Sequence, residues 1–349
     1  MKFLVIGLGS MGKRRIRCLK ALGVGANDIA GFDPREDRRA ETAAAHGVGV
    51  HDDFDAALAG HAPDAFIIST PPDRHHAYMR RAAELGKPFF VEASVVADGL
   101  EEIAALCQGA GIVAAPSSTL FFHPGVRLIF AMVGDGRLGK ISNVLYHSGQ
   151  YLPDWHAYEP VSDYYVSNPP TGGAREIVPF EFTWIARLLG FPRRVCGLFG
   201  KTIDIPGAER IDDAYNGLFD YGDFMMSLAV DVVSRHATRR LLVNGDRGQL
   251  RWDWDENAVR VYDAASGAWR RFDYASGAAQ PGYNANIGET MYIDELGAFV
   301  KAVQGGESFP NTLDDDHKVL KILHAVETSS RESRHVDIPF AGKSTGGAR

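Results

Sequence analysis

Two textures divide this chain. Over roughly the first 118 residues, short and wholly apolar runs alternate with segments whose apolar positions recur at helical spacing. Runs at 3–6, 29–32, 65–69, 89–91 and 112–115 predict strands buried on both faces, as in a parallel sheet. Ile16, Leu19 and Leu22 set a helix directly behind the first run, and further helices are predicted over 37–46, 55–59, 75–85 and 100–109. Such β/α alternation predicts a doubly wound parallel sheet.

Beyond Pro124 the pattern shifts toward strands. A helix near 125–133, a strand over 143–151, a loop rich in Pro and aromatics to about 173 and a helix over 176–189 come first. Strands are then expected at 195–203, 212–221, 224–234, 239–243, 249–254, 258–262 and 269–274. Tyr221-Gly222-Asp223, Asn244-Gly245-Asp246-Arg247-Gly248 and Ser266-Gly267 are hairpin-type turns, so this second sheet should be large and mostly antiparallel. Trp252 and Trp254 alternate onto one strand face, where they would serve sheet packing or oligomer contacts. Helices over 290–303 and 313–330 end the pattern, and Asp314 to Asp316 fall in a first turn, where the helix dipole favours acids. The expected division is a domain of alternating strands and helices at 1–118, an α/β domain at 119–340 and a flexible tail at 341–349.

The junction between the first strand and first helix carries chemistry. Gly7, Gly9 and Gly12 in GLGSMG follow the strand without a gap. In a dinucleotide fold the first glycine permits the tight turn, the second lets backbone approach a pyrophosphate and the third lets helix pack on strand. Ser10 and Met11 would add their amides at the positive end of the helix. Asp33 closes the second run about twenty residues further on, where an acid binds the adenosine ribose. A carboxylate there favours NAD, while Arg35, Arg38 and Arg39 keep NADP open. Pro71 and Pro72 force a loop at the carboxyl end of the third run, and Glu92-Ala93-Ser94 ends the next one on the same side.

Composition narrows the class. Charged residues make up 23% and hydrophobic ones 45%, as in a globular protein, and a net charge of −7 argues against a nucleic-acid surface. Lys13-Arg14-Arg15 then reads as a solvated helix face. No apolar run reaches membrane-spanning length and the first strand begins at once, so a cytoplasmic location is expected. Cys18, Cys107 and Cys196 are scattered, which suggests small buried hydrophobes and no metal site.

Four stretches together resemble the glucose-fructose oxidoreductase / inositol dehydrogenase (Gfo/Idh/MocA) family: FLVIGLGSMGKRRIRCLKALG, STPPDRHHAYMRRAAELGKPFFVE, TGGAREIVPFEFTWIARLLG and LDDDHKVLKILHAVETSSRE. The resemblance implies a Rossmann domain, followed by an α/β domain whose open sheet makes homodimer or homotetramer contacts. It also implies NAD(P)-dependent chemistry at a carbinol carbon of a sugar, sugar acid or nucleotide-linked sugar. Thr70, Pro71 and His75 match its TPxxxH, and Glu92 its acid near the nicotinamide ribose. Two departures stand out. Ala93 and Ser94 replace the Lys and Pro of the family's Glu-Lys-Pro, and the places of its second-domain Asp, His and Asp fall on Glu176, Phe180 and Thr183.

Removing a hydroxyl proton during hydride transfer therefore needs a group other than lysine. Glu176 matches an acidic position of the family; its alternatives are a dipole-stabilised helix acid or a partner of Arg175. His156 is a natural proton carrier, with Asp154 or Glu176 as orienting partner, and Tyr151 is the alternative donor. Trp155, Tyr158, Tyr164 and Tyr165 could form a wall for a sugar ring or pack an interface. Glu181 lies more than a turn beyond Glu176 on a different face and ranks below it. Two other functions stay open: a redox-neutral NAD-using epimerase or eliminase, and a non-catalytic NAD- or sugar-binding protein.

Overall fold

The computed structural model describes residues 1–156, 159–279 and 287–340. Tyr158 and the tail at 341–349 lie outside the described residues. In chain order the first elements are β1 (Phe3–Ile6), α1 (Ser10–Ala21), β2 (Ile29–Phe32), α2 (Glu36–His46), β3 (Gly49–His51), α3 (Phe54–His61), β4 (Ala65–Ile68), α4 (His75–Glu84), β5 (Phe89–Val91), α5 (Leu100–Ala110) and β6 (Ala114–Pro116). Next come α6 (Pro124–Gly134), β7 (Ile141–Tyr151), α7 (Ala174–Leu189), β8 (Arg194–Gly200), β9 (Ala214–Asp220), β10 (Met225–Asp231), β11 (Val233–Gly245), β12 (Gly248–Asp253), β13 (Ala258–Asp263) and β14 (Ala268–Asp273). The chain closes with α8 (Glu289–Val303), α9 (Leu313–Glu332) and β15 (Val336–Asp337).

Two compact units result: residues 1–119 with 291–317, and residues 120–290 with those from 318 onward. In the first, six parallel strands run in the order β3-β2-β1-β4-β5-β6. Every residue of β1, β4 and β5 is buried, which is why these strands read as unbroken apolar runs. Strand order reverses beside β1, so the loops at the carboxyl ends of β1 and β4 flank the switch point where such sheets bind ligands.

Lys13-Arg14-Arg15 is not a solvated face. Arg14 and Arg15 are 2% and 0% exposed. Gly12, Ile16 and Leu19 define the buried stripe of α1, and position 15 falls on it, three residues from Gly12 and four from Leu19.

The second unit holds nine strands in the order β14-β13-β12-β11-β7-β10-β9-β8-β15. Only β7 and β10 run parallel; the other neighbours are antiparallel. The strand expected over 195–203 stops at Gly200 because the Asp213 carboxylate accepts the amides of Thr202 and Ile203, leaving them no ladder partner. Asp231 likewise takes the amides of Val233 and Ser234, ending β10 short of residue 234. Trp252 and Trp254 are both buried, Trp252 donating to the Tyr274 hydroxyl at 2.9 Å, so they serve packing. The opposite sheet face keeps Leu145, Leu198, Leu218 and Met225 exposed. No helix of the described residues is long and apolar enough to cross a membrane.

Asp316, near the start of α9, is 3% exposed, and its Oδ2 has no hydrogen-bond partner. Burial, with repulsion from Asp315, pushes its pKa up to about 7. Stability tied to the neutral form is then complete below the ordinary carboxyl range and lost as pH rises from there through about 7. Asp316→Asn should match the parent near pH 4 and exceed it at pH 8 by on the order of 1–2 kcal/mol. Calorimetry at the two pH values decides; equal melting of both proteins at pH 8 would remove Asp316 from this account.

Candidate functional site

Gly7 turns the chain out of β1 with φ +89°, and a Cβ there would stand 2.6 Å from Ser69 O. A Cβ on Gly12 would lie 1.8 Å from Gly7 O. Gly9 differs, since its Cβ would meet only the Arg38 guanidinium, at an ordinary 3.5 Å. Packing within the chain thus explains two of the glycines and does not require the third. No side chain caps α1 at Gly9 and its first turn carries no acid, so the helix start at Ser10 and Met11 keeps the positive character that suits a phosphate.

Asp33 is 3% exposed and ties this turn to the end of β2. Its Oδ2 accepts the Leu8 amide at 2.8 Å and its Oδ1 the Arg35 amide at 2.9 Å. Arg38 stands 3.7 Å from Oδ2, while Arg39 donates to the Asp33 and Pro34 carbonyls. After β4, Thr70 Oγ1 is buried without a hydrogen-bond partner, an orphan polar atom on the side where a dinucleotide would lie. Pro71 precedes a short 3-10 turn that delivers His75. His75 Nε2 must donate to the Thr70 carbonyl at 2.9 Å, which leaves Nδ1 to accept from Ser94 Oγ at 3.2 Å. Burial pulls its pKa down to about 4, so it joins the two loops as a neutral ring.

Glu92 takes both ends of a fork that the sequence did not announce. Arg15 Nε and Nη2 donate to its two oxygens at 2.7 and 2.8 Å, and Arg15 Nη1 pairs with Glu295 at 2.9 Å. Glu295 is wholly buried and also accepts from Ser117 Oγ, the Ser118 amide and Thr119 Oγ1. The available signal was position 15 itself: an arginine on the apolar stripe of α1 demands buried carboxylates.

In the second unit the loop after β7 assembles a second cluster. His156 Nδ1 is 2.8 Å from Glu159 Oε1, and its ring stacks on Tyr164 at 4.5 Å. The expected partners Asp154 and Glu176 give way to Glu159 because one tight turn of backbone, Glu159 N to His156 O at 3.2 Å, brings that carboxylate in first. Tyr164 meets Tyr165 edge-on at 6.2 Å, and the Tyr165 hydroxyl donates to Glu176 Oε1 at 2.7 Å. One chain of contacts therefore joins His156 to Glu176.

Glu176 is the third residue of α7 and partly buried. Burial pushes its pKa up to about 7 against the opposing hydrogen bond from Tyr165. Oε2 is shielded from solvent and has no hydrogen-bond partner. Arg175 sends its Nε to Glu327 at 2.6 Å. Tyr151, at the end of β7, takes a different partner: the Arg235 guanidinium lies 3.8 Å over its ring, carried there where β11 departs from its register between Val233 and Thr238.

Glu181 faces the sheet. Its four bonds, from Tyr146, Ser148, Trp184 and Arg239, make it a structural group. Phe180 and Thr183 bring no imidazole or acid to α7. Among the described residues no group of three or more His, Cys, Asp or Glu could hold a metal ion.

A two-unit α/β protein with a dinucleotide cradle in its first unit is the class that fold and site define. Residues 1–115 match the model of the Gfo/Idh/MocA oxidoreductase family, described as an NAD-binding Rossmann fold. No curated protein matches the chain in sequence. Among solved structures it is similar to levoglucosan dehydrogenase in complex with NADH and levoglucosan, at 19% identity and a TM-score of 0.83, covering 97% of this chain and 100% of that one. An oxidoreductase domain protein from Kribbella flavida gives 21% identity and a TM-score of 0.83, with 97% and 99% covered. An oxidoreductase from Agrobacterium radiobacter in complex with NAD+, L-tartaric acid and magnesium gives 17% and 0.81, with 97% and 98% covered. At these identities the likeness is one of fold.

Proposed function

We propose that this protein is an NAD(P)-dependent oxidoreductase acting on a carbinol or keto carbon of a sugar, sugar acid or nucleotide-linked sugar, with Glu176 as its acid/base group. The observation that carries the reading is the Glu176 carboxyl, held near pH 7 by burial and left with one oxygen unpartnered. Ala93 stands where the family resemblance puts a lysine, so the proton must go elsewhere. A group that titrates near the working pH is best suited to both taking and returning it.

Gly7, Gly9, Ser10, Met11 and Gly12 would hold the pyrophosphate, with Asp33 toward the adenosine ribose and Thr70, Pro71 and Glu92 toward the other end. His75 would act by fixing Thr70. The bare backbone at Gly9 and the orphan Thr70 Oγ1 both suit such a group. When bound, NAD supplies the hydride acceptor. Glu176 would then take the substrate hydroxyl proton on Oε2 as the carbon becomes a carbonyl. His156, paired with Glu159, and Tyr151 are second candidates for proton transfer. Sugars named in the complexes of similar structures support a carbohydrate substrate.

Titration with NAD(H) and NADP(H), followed by a carbohydrate panel read at the NADH absorbance, tests this. Tight uptake and NADH formation with one sugar class are expected. Uptake with solvent-proton exchange and no net NADH would replace the reading with a redox-neutral one, and no uptake of either dinucleotide would end it. We also propose that the exposed Leu145, Leu198, Leu218 and Met225 face pairs with a second copy in a homodimer or homotetramer. Sedimentation as a monomer at micromolar concentration would refute that.

A further inference from the structure

Tyr165 has a narrower task than an aromatic wall would give it, one that rests on Glu176 being the acid/base group. We infer that Tyr165 is a positioning residue: its hydroxyl, 2.7 Å from Glu176 Oε1, pins that oxygen and leaves Oε2 as the one that exchanges a proton with the substrate hydroxyl.

The chemistry of the two groups sets the direction. A phenolic O–H donates to a carboxylate, so Oε1 is committed as acceptor and an arriving proton must settle on Oε2. As the substrate O–H bond breaks, an O–H bond would form at Oε2 and the electron pair left on the substrate oxygen would make the carbonyl, while a bound pyridine dinucleotide would supply the acceptor for the hydrogen lost from carbon as hydride. Without Tyr165 either oxygen could take the proton, and the carboxylate could turn about its last torsion.

Tyr165 is itself held for this. Its carbonyl accepts Thr171 Oγ1 at 2.8 Å and the Asn168 amide at 3.1 Å, and the Gly172 amide closes on Asn168 O at 2.8 Å. That closure needs a glycine, because a Cβ on residue 172 would stand 1.8 Å from Val166 O. Gly173, at φ +65°, then starts α7, so the Thr-Gly-Gly run sets Tyr165 and Glu176 against each other within one tight loop. Around them, Tyr164 touches the Tyr165 ring edge-on, His156 is paired with Glu159, and Arg175 Nε is committed to Glu327. Among the described residues, Tyr165 supplies the side-chain hydrogen bond that Glu176 receives.

The test uses full-length Tyr165→Phe and Glu176→Gln. Infrared pH-difference spectra, without substrate, identify the Glu176 carboxyl band as the one lost in Glu176→Gln. That band should titrate near pH 7 in the parent and about one pH unit higher in Tyr165→Phe, because a bond that stabilised the charged form is gone. With the sugar that the panel identifies, kcat for alcohol oxidation at pH 7 should fall about fivefold and recover at high pH, with KM nearly unchanged. A band that does not move, or a loss of kcat equal at all pH values, overturns the inference while leaving Glu176 in its role. Undiminished turnover in Glu176→Gln instead overturns the role of Glu176. Should Tyr165→Phe not fold, Thr171→Val, which releases the Tyr165 carbonyl, must move the same band upward by a smaller amount; no movement there also overturns the inference.

Discussion

Glu176→Gln is expected to lower kcat by about 10²–10⁴-fold while leaving NAD affinity within about a factor of two. Glutamine keeps the size of the side chain and can still accept the Tyr165 hydroxyl through its amide oxygen, but it cannot take a proton. The sign of the pH dependence follows from burial. Because the carboxyl is raised to about 7, oxidation of an alcohol should climb through that pH as the base form appears, and reduction of the ketone should fall across the same range. Glutamine should erase both limbs. It should also make the second unit more stable than the parent above pH 7, since a raised carboxyl contributes stability below its ordinary range that is lost as pH rises through about 7. Steady-state rates in both directions from pH 5 to 9 decide. If the variant keeps more than a tenth of the turnover with its limbs intact, His156 inherits the proton.

Much of this was legible in the chain, for stated reasons. The unbroken apolar runs of β1, β4 and β5 announce strands buried on both faces, and the glycine spacing fixes where the first one turns. Hairpin turns at 221–223, 244–248 and 266–267 gave the order β9-β10, β11-β12 and β13-β14, since a short turn leaves the next strand no choice but its neighbour. The parallel pairing of β7 with β10 had no local signal, because the residues between them fold as α7 and two further strands. Side-chain partners were the least legible. Local spacing offers Arg175 to Glu176 and Asp154 to His156, whereas the observed bonds come from Tyr165 and Glu159, which only the loop's tight closure brings into place. Arg15 was misread for a related reason: a run of three basic residues resembles a solvated face unless the apolar stripe is counted through it.

The largest effect on folding should come from Glu181, the acid that the sequence set below Glu176. It is wholly buried and accepts Tyr146 OH at 2.6 Å, Ser148 Oγ at 2.8 Å, Trp184 Nε1 at 3.0 Å and Arg239 Nε at 2.8 Å, binding α7 to β7 and β11 at once. Arg239 is 3% exposed and stacks on Trp254 at 4.4 Å. Glu181→Ala should therefore cost about 3–5 kcal/mol, the scale for removing one partner of a buried ion pair. Replacing both members with apolar residues, Glu181→Leu with Arg239→Met, should recover a large part of that loss, because desolvating the pair offsets much of its attraction. All five tryptophans lie between residues 155 and 269, within the second unit, so their fluorescence in urea follows this unit alone. A single variant that loses less than about 1 kcal/mol would mean that Arg239 finds another partner or reaches solvent, and that α7 is held to the sheet by its apolar face instead.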